Sequence, residues 1–179
     1  MSIITKRGDG GETDLLFGRR IRKTSLRVQA LGAVDELNTA LGLARAAGLR
    51  AEIEPIIDRV QEKLVAAMGQ LATLPEDRDR YTYAAISADD VTWLENTAQE
   101  MESRGVRFTG WARPGAEGAI ASAALDMARA VARRAERNSW ELHESGEEVS
   151  MDVLLFLNRL SDMMWILARV ESDRKGCNS

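Results

Sequence analysis

The chain has 179 residues, 45% of them hydrophobic, and 24 Lys and Arg against 28 Asp and Glu leave a net charge of −4. That is the make-up of a single globular domain spanning 1–179 with a sizeable core, and the acid excess argues against a nucleic-acid polymer as ligand, which needs a basic face. No apolar run approaches the ~20 residues that cross a bilayer and no secretory pattern opens the chain, so the expectation is a cytoplasmic protein; one Cys (Cys177) and one His (His143) exclude a disulfide framework and a multi-histidine metal site.

The first segment, Thr5-Lys6-Arg7-Gly8-Asp9-Gly10-Gly11-Glu12-Thr13-Asp14, mixes glycines and hydroxyl residues with lysine and arginine. A backbone of that composition wraps closely around phosphate oxygens. Its spacing fits neither the Gly-Lys-Ser/Thr loop nor the dinucleotide turn. Leu15, Leu16 and Phe17 interrupt the polar run, so part of this segment is expected to dock rather than trail in solvent. Arg19, Arg20, Arg22 and Lys23 follow as one basic cluster, and local basic clusters in an acidic protein suit a small, highly charged ligand.

From residue 25 onward the apolar period is helical. The first helix is predicted over 25–47, with Val28, Leu31, Val34, Leu37, Leu41 and Ala44 on one face and Gly48 as its stop. The second is predicted over 51–72, tolerating Pro55 in its first turn and ending before Pro75. A charged connection over 76–80 leads to an ambiguous stretch over 81–86. Ser87 with Asp90 three residues on marks a capped start for a third helix reaching Ser103. The stretch 106–118, with Phe108, Trp111 and Pro114, reads as an irregular loop. Two long helices follow over 119–144 and 150–173, separated by a charged turn around Gly146. The expected fold is all-α, a five-helix bundle.

Polar residues interrupt these helices in patterned places. Arg129, Arg133, Glu136 and Arg137 share one stripe of the fourth helix. A solvated face with intrahelical ion pairs explains such a stripe, and so does an anion site, because arginine forks hold phosphates and internal carboxylates. Asn158 breaks an apolar half-helix, as a buried structural amide or as a ligand contact. Asp35 and Asn38 sit among Val34, Leu37 and Leu41, and a carboxylate there calls for a cation.

In combination, Thr5-Lys6-x-Gly8-Asp9-x-Gly11-x-Thr13, Val34-Asp35-Glu36-Leu37-Asn38, Ala128-Arg129-x-Val131-x-Arg133-Arg134-Ala135-Glu136-Arg137 and Phe156-Leu157-Asn158-Arg159-Leu160-Ser161-Asp162 resemble the ATP:cob(I)alamin adenosyltransferases of the trimeric helical-bundle class. The resemblance covers nearly the whole chain and rests on four motifs in one order. It implies transfer of the 5′-deoxyadenosyl group of ATP to the cobalt of cob(I)alamin, giving adenosylcobalamin and triphosphate, in a homotrimer with ATP sites between subunits. Residues 1–24 are then the ATP-binding segment and 25–179 the bundle.

By this resemblance Thr5, Lys6, Arg7, Gly8, Thr13, Asp14 and Lys23 wrap the ATP, and Arg133, Arg134, Glu136, Arg137 and Asn158 complete its site. Arg129, Arg133 and Asp35 belong at the reacting centre, with Asp35 and Arg129 paired across neighbouring helices as a brace. Mg2+ accompanies the phosphates. Trp111 or Phe108 is implied against the cobalamin, excluding the lower axial base from cobalt. A reductase and an adenosylcobalamin-dependent enzyme are the implied partners. The chain departs from the family pattern at Arg7, Gly10 and Asp126, and in a longer stretch from Pro114 to Arg129. Two other readings stand beside the enzyme: a non-catalytic nucleotide- or cobalamin-sensing bundle, and a purely structural helical oligomer.

Overall fold

Ser25 caps the first helix of this computed structural model, which describes residues 4–106, 110–116 and 118–172; its hydroxyl accepts from the Val28 amide at 3.3 Å. Helix α1 (Leu26–Ala46) stops before Gly48, whose φ of 82° suits a residue without a Cβ. Helix α2 (Glu54–Leu71) starts three residues later than the period suggests. The reason is local: residues 50–53 form a turn, held by the Arg50 amide donating to the buried Glu171 carboxylate at 2.5 Å. Helix α3 (Ala88–Ser103) begins at the anticipated cap, with Asp90 accepting from the Ser87 amide at 3.1 Å and its hydroxyl at 3.0 Å. Helices α4 (Ile120–Glu144) and α5 (Met151–Ser172) complete the five-helix arrangement expected from the sequence.

Helix α4 packs chiefly on α1 and α5, and the small residues Ala124, Ala128, Ala132 and Ala135 on its buried face allow close approach. They meet a core that includes Leu37 and Leu41 from α1 and Phe156, Leu157 and Leu160 from α5, each fully buried. Burying such a side chain stabilises the fold by about 1.5–3 kcal/mol. Arg27 lies inside this framework at 1% exposure. Its Nη1 donates to the Leu71 carbonyl at 2.7 Å, capping the end of α2, and its Nη2 pairs with Glu147 in the α4–α5 turn.

The N-terminal segment is more ordered than a wrapping loop. Strand β1 (Glu12–Asp14) pairs antiparallel with β2 (Arg20–Arg22), setting Glu12 opposite Arg22, Thr13 opposite Ile21 and Asp14 opposite Arg20. Phe17 and Gly18, at φ 60° and 75°, reverse the chain between them. The segment docks, as its apolar residues imply: Leu15 is buried and the Leu16 amide donates to the Ala72 carbonyl at 3.2 Å. Beyond α2, a short 3₁₀ stretch (Pro75–Arg80) presents Asp77 to Arg19 and stacks the Arg80 guanidinium 4.4 Å from the Phe17 ring centroid. Among the described residues, no helix is long and apolar enough to cross a membrane.

Candidate active site

The first half of the site is the loop before β1. Two successive turns shape it, with the Asp9 amide on the Lys6 carbonyl at 3.3 Å and the Gly11 amide on the Gly8 carbonyl at 3.2 Å. Lys6 adopts φ 58°, a left-handed conformation that costs a residue with a Cβ about 1–2 kcal/mol. Among the described residues, no acceptor within the chain meets the amides of Arg7, Gly8 and Gly10. Free amides on a tightly turned loop are donors for an anion. Lys23 lies across this loop, since a Cβ on Gly8 would sit 2.9 Å from its Nζ. Thr5, Lys6 and Arg7 are exposed and Thr13 is half-buried. Arg7 Nη2 donates to Asp14 at 3.2 Å, so that pair is already joined within the segment.

The second half is on α4 and α5. Arg133 and Arg137, one turn apart on α4, are exposed and have no carboxylate against them among the described residues. Their neighbours are engaged. Arg134 pairs with Glu36 of α1, and Glu136 accepts from Asn158 Nδ2 at 2.9 Å. The other end of the Asn158 amide accepts from Arg159 Nη1 at 2.5 Å, and Arg159 Nε donates to Glu95 of α3 at 2.8 Å. Asn158 is therefore held in one orientation by Glu136 and by Arg159, which Glu95 fixes in turn.

Asp35 and Arg129 do not meet within one chain. Arg129 Nε lies 3.6 Å from Asp126, one turn earlier on its own helix, and Asp126 is buried and also paired with Arg169 of α5. The Asp35 carboxylate is exposed, and among the described residues no cation lies against it. Asn38, its neighbour in the motif, is occupied structurally, its amide oxygen accepting from Gln61 Nε2 of α2 at 3.0 Å. Trp111 is 88% exposed in its loop, and Phe108 lies outside the described residues.

No hydrogen bond or ion pair among the described residues joins the Lys6–Gly11 loop to Arg133, Arg137 or Asn158. A cavity of about 770 Å³ lies elsewhere, between the end of α2 and the α4–α5 turn, lined by Leu71, Tyr81, His143, Glu147 and Val153 among others. None of the expected site residues lines it. Sequence reasoning gave no supporting role to Glu95 or Arg159, the pair that holds Asn158 here. Arg159 stands inside the Asn158 motif and was open to notice; Glu95 carries no local signal, because its role exists only once α3 packs on α5.

Residues 3–171 match the family model for cobalamin adenosyltransferase. The chain belongs to the cobalamin adenosyltransferase family. Among curated cobalamin adenosyltransferases, the corrinoid adenosyltransferase PduO of Salmonella typhimurium is 34% identical over 96% of this chain and 50% of its own length. The chain thus spans about half the length of that relative. The corrinoid adenosyltransferase of Bacillus subtilis is 36% identical over 98% of this chain and 89% of its own. Among solved structures, a phenylalanine-to-alanine variant of the PduO-type ATP:corrinoid adenosyltransferase from Lactobacillus reuteri, complexed with cobalamin and ATP, superposes with a TM-score of 0.84. It is 30% identical, with 94% of this chain and 92% of that chain covered.

Proposed function

We propose that this cobalamin adenosyltransferase moves the 5′-deoxyadenosyl group of ATP onto the cobalt of cob(I)alamin, releasing triphosphate. The observation that carries the reading is the unspent positive charge of Arg133 and Arg137 on a stripe whose other members are all engaged. Together with the free amides of the phosphate loop, it matches a triphosphate rather than a metal or a polymer. Family membership and the cobalamin- and ATP-bound neighbour favour this over a sensing bundle.

In the reaction, the cobalt(I) lone pair forms the Co–C5′ bond as the C5′–O5′ bond breaks, and the triphosphate leaves with that electron pair. The substrate supplies the nucleophile, so the protein's work is placement and charge. The loop amides, Thr5, Lys6, Gly8 and Lys23 hold the phosphates; Arg133 and Arg137 neutralise charge that grows on the leaving triphosphate; Asn158 and Glu136 fix the nucleotide's position. Mg2+ would accompany the ATP and offset part of the charge of its triphosphate. Trp111, on an exposed loop, is placed against the corrin substrate.

The assembly belonging to this reading is a homotrimer. Among the described residues the loop and the arginine stripe of one chain share no bond and no cation lies against the exposed Asp35, so in this reading a neighbouring subunit completes both the ATP site and the Asp35–Arg129 pair. Exposed apolar residues Leu43, Val65 and Met127 are available for such contacts. The cytoplasm is the proposed setting, with a reductase supplying cob(I)alamin and an adenosylcobalamin-dependent enzyme receiving the product.

The test is an anaerobic mixture of the protein, chemically reduced cobalamin and magnesium ATP. The visible spectrum should convert to that of adenosylcobalamin with one triphosphate released per turnover. Saturable binding of both ligands with no triphosphate would instead assign a sensor, and no saturable ATP binding would leave a structural bundle.

A further inference from the structure

Arg20 has no part in the assignments above, yet its guanidinium gathers three acceptors of the N-terminal segment. Nη2 donates to the Arg7 carbonyl at 3.0 Å and to Glu12 Oε2 at 3.3 Å, and Nη1 donates to Asp14 Oδ1 at 3.1 Å. Glu12 and Asp14 are the two ends of β1, and Arg20 faces Asp14 across the strand pair. Arg7 is the residue that follows the left-handed Lys6 and enters the loop. One planar fork thus ties the loop's entry to both ends of the strand that leaves it. A flexible ammonium presents no such fixed geometry.

Two physical consequences follow from this placement. A carbonyl turned onto a guanidinium is not turned toward a bound anion, so Arg20 disposes of an oxygen that would repel phosphate, and it steadies a backbone conformation that a free loop would relax. It also offsets Glu12 and Asp14, two carboxylates beside the loop. Without Arg20, the cluster of Arg7, Glu12 and Asp14 carries a net negative charge next to the free amides.

We infer that Arg20 is a positioning residue, which holds the Lys6–Gly11 loop in the shape that receives a triphosphate without itself contacting phosphate. The inference rests on the proposed ATP site. Its test compares the full-length parent with Arg20→Gln and Arg20→Lys in two measurements. One is ATP affinity by calorimetry with magnesium and no corrinoid; the other is the rate of tryptic cleavage after Lys6 and Arg7, followed by mass spectrometry. Circular dichroism confirms that the helices of each variant are intact.

Both variants should bind ATP at least about tenfold more weakly, the order expected when a binding loop loses its geometry. Both should also be cleaved after Lys6 and Arg7 several times faster, and the lysine should fail to restore either property. Parent-like ATP affinity in Arg20→Gln would overturn the inference. Weaker ATP binding with unchanged cleavage, restored by lysine, would make Arg20 a direct phosphate ligand and overturn it equally. If the parent itself shows no saturable ATP binding, the proposed function fails; the cleavage comparison still decides whether Arg20 holds the loop.

Discussion

Arg19 grips Asp77 with both arms of its fork, Nε to one carboxylate oxygen at 2.5 Å and Nη2 to the other at 3.0 Å. This pair fastens the N-terminal hairpin to the 3₁₀ stretch after α2, and Arg80 adds a third donor to the same carboxylate at 2.9 Å. The Arg19 guanidinium, opposed by burial and helped by Arg80, lowers the Asp77 carboxyl from 3.8 to about 2.

A carboxyl whose folded value lies below its unfolded one stabilises the fold fully above the unfolded value, and that contribution disappears as pH falls through the folded value. The hairpin anchor is therefore expected to hold at pH 5 and above and to weaken between pH about 4 and about 2. Thermal unfolding followed across this window should fall less steeply with acid in Asp77→Asn than in the parent, because the variant has no such proton to take up. Identical slopes would show that Asp77 is not the linked group.

Gly69 stands within α2 where a Cβ would lie 2.5 Å from the Tyr81 hydroxyl, which itself donates to the Ala84 carbonyl at 2.7 Å. Alanine at an open helical site gains about 1 kcal/mol over glycine. Here overpacking, typically about 1–3 kcal/mol, outweighs that gain. Gly69→Ala should therefore lower the denaturation midpoint, and combining it with Tyr81→Ala should make the alanine at position 69 stabilising relative to glycine. A simple gain in the single variant would mean the ring moves aside freely.

These cases show where the sequence is readable. Apolar spacing, Gly48, Pro75 and the Ser87–Asp90 cap locate the helices because each is a local cause with a local effect. The hairpin escapes because strands of three residues are too short for alternation to register, and its stability comes from Arg19 and Leu16 meeting residues some 60 positions away. Arg27 escapes for a related reason: an arginine at a core position reads as solvent-facing until the carbonyls that accept from it are known. The motifs supplied the residues proposed for the site, whereas Arg129 had several acids to choose from and only the fold shows Asp126 beside it.

Arg133 offers the most direct test of the proposed chemistry. Its guanidinium is exposed and unpaired among the described residues, so truncation should leave the helix and the core intact. Removing a donor aimed at developing charge typically costs about 10²–10³ in turnover. Arg133→Ala should slow adenosyl transfer by that order while circular dichroism and the melting temperature stay close to the parent's. An unchanged rate would take Arg133 out of the site.

Asp35 and Arg129 test the assembly as well as the chemistry. In one chain the Asp35 carboxylate is exposed and the Arg129 guanidinium leans on Asp126, so neither Asp35→Asn nor Arg129→Lys should alter the melting of a dissociated subunit through a shared contact. If a neighbouring subunit joins the two residues, the variants become coupled in the assembled protein. Each single change should then reduce turnover by about tenfold or more, and the double variant should be little worse than either, since contacting residues are not additive. Sedimentation velocity would show the same dependence in the dissociation of the proposed trimer. Full additivity of the two losses, with assembly unaffected, would assign Arg129 to Asp126 alone and dissolve the proposed brace.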